Sequence, residues 1–174
     1  MIYLTSDLHF NHDRDFIYLP RGFNSIYEMN SAIIKNWNSL VEKDDDVYIL
    51  GDLMLGDTSL GIKCISQLKG NLHIILGNHD TDRRIEIYDT LHNVVDIKFA
   101  DRIRYGKWIF YLSHYPVYTS NKNEKPIWCL SGHTHSKEIF QEKFPQNYNV
   151  ALDAHDNKLV SIEEIINNII AYKR

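Results

Sequence analysis

Cysteine is scarce in this chain, and its two cysteines form no recognisable pattern. Cys64 and Cys129 are separated by 64 residues in a chain of 174, and neither belongs to a CxxC motif. A single disulfide between them is left open but has no support, and both are interpreted as small buried hydrophobic residues. A chain without a disulfide framework is typical of a reducing compartment, so we expect a cytoplasmic location.

Long apolar runs are absent as well. No stretch approaches the ~18 consecutive apolar residues that a membrane-spanning helix needs. The first seven residues, Met1 to Asp7, carry neither a basic region nor an extended apolar run, and so do not resemble a signal peptide. We therefore expect no association with a membrane.

Positive charge is also in short supply. The formal net charge is −4, from 19 Lys and Arg against 23 Asp and Glu. Proteins that bind nucleic acid usually carry a basic excess, so nucleic acid remains a possible ligand that the composition does not indicate. The length suffices for one well-buried domain and is short for two, which predicts a single domain over residues 1–174. The oligomeric state is left open.

The pattern of apolar residues predicts an α/β fold. Strands are predicted at 2–4, 47–50, 72–76, 94–99, 102–105, 108–113, 127–130 and 147–152. Helices are predicted at 25–41, 60–68, 81–91 and 162–172. Ser25 with Glu28 and Ser161 with Glu164 form capping-box patterns, and the polar stretch Thr119–Lys125 is typical of a loop. The alternation of strands and helices in the first half indicates a parallel sheet.

Polar clusters follow five of the predicted strands. They are Ser6–His9, Gly51–Asp52, Gly77–Asp80, Ser113–His114 and Gly132–His135. Ligands of α/β sheets bind in the crevice outside the carboxyl ends of the strands, so these clusters are expected to meet in one crevice. The i and i+2 spacing of His133 and His135 suits metal ligands on an irregular or extended backbone. Each cluster alone is compatible with a surface turn, but the five together favour a metal site.

In order and spacing, the clusters resemble the motif blocks of the calcineurin-like metallophosphoesterase superfamily. Those blocks are D-x-H, GD, GNH[DE], a lone H and GHxH, and they match this chain from Asp7 to His135. The opening Thr5–His12 is similar to that of small bacterial and phage phosphoesterases. The resemblance implies a four-layered α/β/β/α sandwich with mixed sheets.

The resemblance also implies a binuclear metal centre. The implied ligands are Asp7, His9 and His135 for the first ion, Asn78, His114 and His133 for the second, and Asp52 as a bridge between the two ions. Mixed nitrogen and oxygen ligands suit Mn, Fe, Zn or Ni better than Ca. The sequence does not choose among these four metals.

The implied reaction is hydrolysis of a small-molecule phosphate ester. Hydroxide held between two ions about 3.5–4 Å apart would attack phosphorus in line, and His79 would assist the leaving group. Asp80 would either orient His79 by a hydrogen bond or cap the following helix. His12 and Asn11 are weaker candidates for substrate contact, and a structural role for His12 is an equal alternative.

One departure from the family pattern narrows the function. The residues after Asp52 lack the second Asp and the Arg of GD-x-x-D-R-G, and Asp57 lies too far along to replace that Asp. This counts against a protein Ser/Thr phosphatase and, with GNHD, favours phosphodiesters or small nucleotides. A nuclease and a non-catalytic scaffold of the same fold are the alternatives.

The remaining candidates are weaker. Arg14 and Arg21 are compatible with a phosphate contact but are interpreted as surface charges. His73 is expected to be packed or half-exposed in a strand, and His92 and His155 are expected at the surface. Tyr115 and Tyr118, next to His114, are candidates for lining the pocket.

Overall fold

A computed structural model describes residues 1–119 and 127–173. In chain order its elements are β1 Ile2–Thr5, α1 Asp15–Tyr18, α2 Ile26–Leu40, β2 Asp46–Leu50, α3 Thr58–Ile65, β3 Asn71–Ile75, α4 Asp82–Tyr88, β4 Val94–Lys98, β5 Asp101–Tyr105, β6 Trp108–Leu112, β7 Trp128–Ser131, β8 Asn147–Asn149, a 3₁₀ turn Leu152–Ala154, β9 Val160–Ser161 and α5 Ile162–Tyr172. The loop predicted at Thr119–Lys125 lies, beyond Thr119, outside the described residues.

Two mixed sheets form the framework. The first has the strand order β4-β3-β2-β1-β9, with β1 to β4 parallel and β9 antiparallel to β1. The second has the order β5-β6-β7-β8, with an antiparallel β5–β6 pair and parallel pairs thereafter. The predicted α/β fold with two mixed sheets and flanking helices is confirmed.

Both faces of the first sheet are buried, as expected for parallel strands. On β2, Ile49 packs into a core with the helices, while its neighbour Leu50 packs into a second core. The first core contains Met29, Ile33 and Trp37 of α2. The second core joins the inner strands to apolar residues of the second sheet and of α5: Phe110, Leu112, Leu130, Tyr148, Ile165 and Ile169. The first sheet is therefore held on both sides, which fixes where its strands end.

The helix starts follow local capping chemistry. The Ser25 hydroxyl accepts from the Glu28 N–H (3.2 Å), and the Ser161 hydroxyl accepts from the Glu164 N–H (3.2 Å), as the capping patterns predicted. Helix α3 begins at Thr58, earlier than predicted. Its N-cap is Asp57, whose carboxylate accepts from the Ser59 (2.8 Å) and Leu60 (3.2 Å) N–H groups. Asp57 is thus a helix cap, which accounts for an acid at this position.

Other features of the chain agree with its composition. Cys64 and Cys129 are buried and unpaired with each other, as expected of small hydrophobic residues. No helix in the described part of the chain is both long and apolar enough to cross a membrane. The last predicted strand is shorter than expected, because the chain leaves β8 at Asn149 and turns into the 3₁₀ segment.

His155 is not the surface residue that the sequence suggested. Its side chain is half-buried, its Nε2 lies 2.8 Å from the Asn149 carbonyl oxygen, and its ring stacks on Tyr148 at 5.8 Å. A carbonyl oxygen only accepts, so Nε2 carries the proton. Burial lowers the pKa of His155 below its usual 6.5, although the Asn149 carbonyl opposes the shift.

We expect His155 to make folding sensitive to acid. Because its pKa is depressed in the folded state, the unfolded chain takes up the proton more readily, and stability falls as the pH drops below about 6.5. His155→Gln keeps an N–H donor without the titration. It should lose less stability than the wild type between about pH 7.5 and about pH 5, measured by urea unfolding. His92→Gln, at an exposed histidine, is the control; an unchanged acid response in His155→Gln would contradict the assignment.

Candidate metal centre

The carboxyl ends of β1, β2 and β3 meet at one edge of the first sheet. Beyond the strands, the chain after β1 stays paired with the chain after β2: the Asp7 N–H donates to the Gly51 carbonyl and the His9 N–H to the Asp52 carbonyl, both at 3.0 Å. This pairing aligns two of the polar clusters. The Gly132–His135 segment, after β7, approaches the same edge, where the His133 N–H donates to Asp7 Oδ2 (2.9 Å).

Glycine is required where these segments touch. A Cβ on Gly132 would overlap the side chains of Ser6 and Asp7. A Cβ on Gly51, whose φ is +91°, would overlap the His114 ring and the backbone of Gly77. The close approach of these segments therefore depends on residues without side chains, since any larger residue would push the ligands apart.

The ligand-bearing segments have an unusual backbone. Left-handed φ angles occur at Asp7 (58°), His9 (47°), Asn11 (61°), Asp52 (57°), His133 (67°) and His135 (49°). Such angles are uncommon outside glycine and concentrate at functional sites, where the surrounding structure holds them in place. In the D-x-H and H-x-H segments they turn residues i and i+2 toward the same side. That orientation is what the i and i+2 spacing of His133 and His135 required.

One group of side chains surrounds Asp7 Oδ1. His9 Nε2 lies 3.8 Å and His135 Nε2 lies 3.6 Å from this oxygen, and the two nitrogens are 3.2 Å apart. Asp7 and His9 are buried, whereas His135 is exposed at the rim. The three side chains form a set of carboxylate and imidazole groups that could hold a metal ion.

A second group forms around the ring of His114. Its Nε2 lies 2.9 Å from Asn78 Oδ1 and 3.2 Å from His133 Nδ1, and the last two atoms are 3.1 Å apart. His114 is buried, while Asn78 and His133 are exposed. The centre thus has a buried floor and a rim open to solvent, on which a substrate can be placed.

Asp52 lies between the two groups. Its Oδ1 accepts from the His79 N–H (2.9 Å), which fixes the carboxylate. Its Oδ2 is 3.7 Å from His9 Nε2 in the first group and 3.6 Å from His114 Nε2 in the second. One oxygen therefore faces both groups, which suits a ligand that they share.

The donor set fits divalent metal ions. A tetrahedral ion with bonds of about 2.0–2.1 Å separates its ligand atoms by about 3.3–3.4 Å, and an octahedral ion by about 3 Å; the spacings above fall around these values. Asp7 Oδ1 is buried and has no hydrogen-bond partner within residues 1–119 and 127–173, while Asp7 Oδ2 contacts the Ser6 hydroxyl and the His133 N–H. A buried carboxylate oxygen left without a donor is costly unless a cation faces it.

Burial sets the charge state of two ligand histidines, whereas at His135 its effect is outweighed by the hydrogen bond to Asp153 and the charge of Asp7, which raise the pKa. Burial lowers the pKa of His9 to about 2, with a further contribution from His135, and lowers the pKa of His133, helped by His114. Both imidazoles are therefore neutral near pH 7, which is the state that binds metal. Burial also raises the pKa of Asp52, reinforced by Asp7 and opposed by His114.

Two residues behind the first group were missed as functional residues. The Asp153 carboxylate lies 3.1 Å from His135 Nδ1 and accepts from Arg21 Nε (3.1 Å) and Nη2 (2.8 Å). Arg21 is buried, so its interpretation as a surface charge was wrong. Asp153 follows β8 just as Asp7 follows β1. The pattern of polar residues after strands was the signal that could have found it.

The tautomer of His114 is set by the backbone. Its Nδ1 lies 2.8 Å from the Leu50 carbonyl oxygen. Because this oxygen only accepts, Nδ1 carries a proton, and Nε2 is left as the candidate ligand atom beside Asn78 and Asp52. A hydrogen bond behind a ligand histidine is the usual way in which a protein orients that ligand.

The two histidines considered for substrate chemistry lie at the open side. His79 is partly exposed, with Nε2 4.0 Å from Asp52 Oδ2. His12 Nδ1 lies 3.2 Å from His9 Nδ1, and its ring centroid is 6.2 Å from that of His79. Burial lowers the pKa of His12 to about 4, with a contribution from His79. Among the two tyrosines, Tyr115 packs edge-on against the His133 ring at 4.5 Å, and Tyr118 is exposed.

The structure does not bring Asn11 to the cluster. Its side-chain amide donates to the Asp57 carbonyl (3.1 Å) at the start of α3, and its N–H donates to Asn30 (3.3 Å). Asn11 therefore ties the ligand segment to the helices. Arg14 is exposed, as predicted.

Asp80 has neither of the two predicted roles. Its carboxylate accepts from the N–H groups of Asp52 (2.9 Å) and Gly77 (2.8 Å), and from the Tyr88 hydroxyl (2.9 Å). Helix α4 is capped at Thr81, without a side-chain hydrogen bond. Asp80 instead fastens the loop after β2 to the loop after β3, and acts on the backbone that carries Asp52.

The fold and this cluster define an α/β protein with a candidate metal centre at the strand ends. Residues 1–158 match the calcineurin-like phosphoesterase family, and the chain belongs to this family. An uncharacterized protein of Methanocaldococcus jannaschii is 33% identical over 95% of this chain and 89% of its own length. The Gene 66 protein of Mycobacterium phage L5 is 31% identical over 94% and 91%. The resemblance stated from the motifs is confirmed.

Solved structures show the same fold. A protein of unknown function from Aquifex aeolicus superposes with a TM-score of 0.73 at 22% identity, covering 96% of this chain and 98% of its own. An archaeal phosphodiesterase gives 0.50 at 20% identity, covering 86% and 81%. A phosphoesterase from E. coli gives 0.52 at 17% identity, covering 86% and 77%.

We expect the free energy of unfolding to fall more when the Asp80 carboxylate is removed than when the hydroxyl of its partner Tyr88 is removed. Asp80→Ala leaves buried N–H donors unpaired, at about 1–3 kcal/mol each, so the free energy of unfolding should fall by about 3–5 kcal/mol. Tyr88→Phe removes one hydroxyl donor and should cost only about 1 kcal/mol. Urea unfolding measures both. Equal losses in the two variants would show that Asp80 does not hold the loops.

Proposed function

We propose that the protein is a binuclear metal-dependent phosphoesterase that hydrolyses phosphodiesters or small nucleotides. The observation that carries the proposal is the position of Asp52 Oδ2 between His9 and His114. A buried carboxylate shared by two imidazole-bearing groups suits a bridge between two cations. The family membership of the chain supports phosphate-ester chemistry, and the open rim supplies access.

The position of each residue assigns it to one of the two proposed ions. Asp7, His9 and His135 would hold one ion, and Asn78, His114 and His133 the other, with Asp52 shared. When bound, two such ions supply electrostatic stabilisation of the phosphoryl oxygens and lower the pKa of an attacking water. The protein fixes the ligand geometry through Asp80, the Leu50 carbonyl and Asp153, so that little reorganisation is needed on binding.

We propose that His79 assists the leaving group. Both backbone groups of His79 are hydrogen-bonded: its N–H donates to Asp52 Oδ1, and its carbonyl accepts from Arg84. Its ring faces the centre from the solvent side, near Asp52 Oδ2. A positioned imidazole of this kind can give a proton to a departing alkoxide oxygen.

Two observations support diesters over monoesters. The chain lacks the GD-x-x-D-R-G form, and Arg21 is committed to Asp153 and to the Asp7 carbonyl (2.8 Å). The second negative charge of a monoester dianion therefore lacks this arginine as a partner. The fold likeness to a protein described as an archaeal phosphodiesterase agrees with this proposal.

We expect two ions per chain, lost one at a time. Asn78→Ala removes a ligand of the second ion alone and should leave one tightly held Zn²⁺, whereas His9→Ala should leave one at the other position. Asp52→Asn should weaken both, because the bridge loses its charge. Metal analysis after desalting, with isothermal titration, measures the stoichiometry. His92→Ala is the control, and two tight ions in Asn78→Ala would refute the assignment.

We expect hydrolysis of bis-p-nitrophenyl phosphate to exceed that of p-nitrophenyl phosphate with added Mn²⁺. Asp52→Asn should abolish both activities. His79→Ala should lower kcat by roughly 10²–10⁴-fold on a diester with an alkoxide leaving group, such as a 2′,3′-cyclic nucleotide. Its effect on bis-p-nitrophenyl phosphate should be smaller, because p-nitrophenolate departs without needing a proton. Rates are measured under saturating metal.

The controls separate the alternatives. His92→Ala replaces an exposed histidine outside the site and should keep the wild-type rates. Bound metal without turnover of any ester would favour a non-catalytic scaffold. Faster cleavage of single-stranded DNA than of small diesters would favour a nuclease. An equal effect of His79→Ala on both classes of leaving group would exclude its role as a proton donor.

A further inference from the structure

We propose that the buried Arg21–Asp153 pair positions the ligands of the first ion, and so controls the affinity of that ion independently of the second. This inference rests on the metal centre of the proposed function. It concerns two residues that belong to none of the family motif blocks. Neither side chain is proposed to touch substrate, so both are positioning residues.

The pair contacts two ligands at once. Asp153 Oδ2 lies 3.1 Å from His135 Nδ1 and thereby sets the ring so that Nε2 faces Asp7 Oδ1. Arg21 Nη2 donates to the backbone carbonyl of Asp7 (2.8 Å), and Nη1 approaches the Leu8 carbonyl (3.5 Å). A side-chain ligand and the backbone of a second ligand are therefore tied to one ion pair.

Burial makes the connection stiff. The Arg21 side chain is 1% exposed and that of Asp153 is 10% exposed. Arg21 offers its Nε and Nη2 to the two oxygens of Asp153, a two-point contact that fixes the guanidinium plane. The carbonyl of Asp7 accepts from the same Nη2 in the left-handed segment that carries the ligands. The pair thus supports a backbone conformation that is costly by itself.

The second ion has a different support. Its ligand His114 is oriented by the Leu50 carbonyl, and its ligand Asn78 follows β3 in the loop held by Asp80. Its ligand His133 donates its N–H to the carboxylate of Asp7 (2.9 Å), whereas Arg21 binds only the carbonyl of that residue. None of these contacts to the second group is made by Arg21 or Asp153. Loss of the pair should therefore change one half of the centre and leave the other half unchanged, which a general loss of stability would not do.

The test separates the two ions. Asn78→Ala is the background that retains the first ion, and His9→Ala is the background that retains the second. Asp153→Asn keeps an acceptor for His135 but removes the charge, and Asp153→Ala removes both. Zn²⁺ affinity is measured by competition with a chromophoric chelator, and the Co²⁺ absorption spectrum reports ligand geometry. Circular dichroism shows whether each variant is folded.

We expect Asp153→Ala to weaken Zn²⁺ binding by about 10–100-fold in the Asn78→Ala background, with an altered Co²⁺ spectrum. Asp153→Asn should have a smaller effect. In the His9→Ala background, both should leave affinity unchanged. Glu42→Gln is the matched control, because it neutralises a carboxylate paired with Lys69 (3.8 Å) before the start of β2, at the end of that strand opposite to the ligands. It should leave both affinities unchanged.

A second variant tests the inference if Asp153→Ala does not fold. Asp153→Ala leaves the buried Arg21 charge unpaired, so the double variant Arg21→Met with Asp153→Leu replaces the whole pair by apolar groups, which buried ion pairs often tolerate. A folded double variant should show the same selective loss of the first ion. Wild-type first-ion affinity in this variant, or an equal loss at both ions, would overturn the inference.

The experiments distinguish failure of this inference from failure of the proposed function. Selective loss of the first ion, in a protein that hydrolyses none of the esters, would uphold the inference while the proposed function fails. Normal hydrolysis with unchanged Zn²⁺ affinity in every Asp153 variant would overturn the inference alone.

Discussion

The buried carboxylate of Asp7 is the constraint on which the rest of the site depends. It follows the inner strand β1 and is fully buried, and one of its oxygens has no hydrogen-bond donor among the residues that the structure describes. A charge in that position is unfavourable unless a cation compensates it. The buried imidazole of His9, whose pKa is lowered by burial, stays neutral and cannot serve as that cation. The Asp7 carboxylate is therefore a candidate ligand for a metal cation, and the surrounding structure holds its segment in place.

Three kinds of feature hold the site in shape, and each has a free-energy cost that the fold offsets elsewhere. Glycines such as Gly132 allow segments to touch without contributing side-chain packing. Left-handed residues in the ligand segments are strained conformations that hydrogen bonds and packing hold in place. Buried charges, Asp80 and the Arg21–Asp153 pair, give up solvation in return for hydrogen bonds to ligand-bearing loops. Two sheets with apolar cores on both faces of the first supply the stability that makes such an arrangement tolerable.

The predictions made from the sequence differ in quality for a physical reason. Apolar periodicity and capping residues act over a few neighbouring positions, so α2, α5 and the inner strands were found close to their observed bounds. The predicted end of β8 and the predicted start of α3 were wrong, because local hydrogen bonds at Asn149 and Asp57 decide those bounds. The ligand candidates were recognisable because each follows a strand and belongs to a family motif. His155 was misjudged because its burial against Tyr148 depends on the path of a loop.

By itself, the sequence determined the fold class, the family and the set of polar side chains that follow the strands, since these are encoded in residue types at short spacing. Only the tertiary structure decided which of those side chains lie together and what stands behind them. Asp80 proved to bind loop backbone, Asn11 to face α3, and Arg21 to lie buried against Asp153, 132 residues away along the chain. Contacts between distant segments depend on where whole strands end in space. No local pattern of residues records that information.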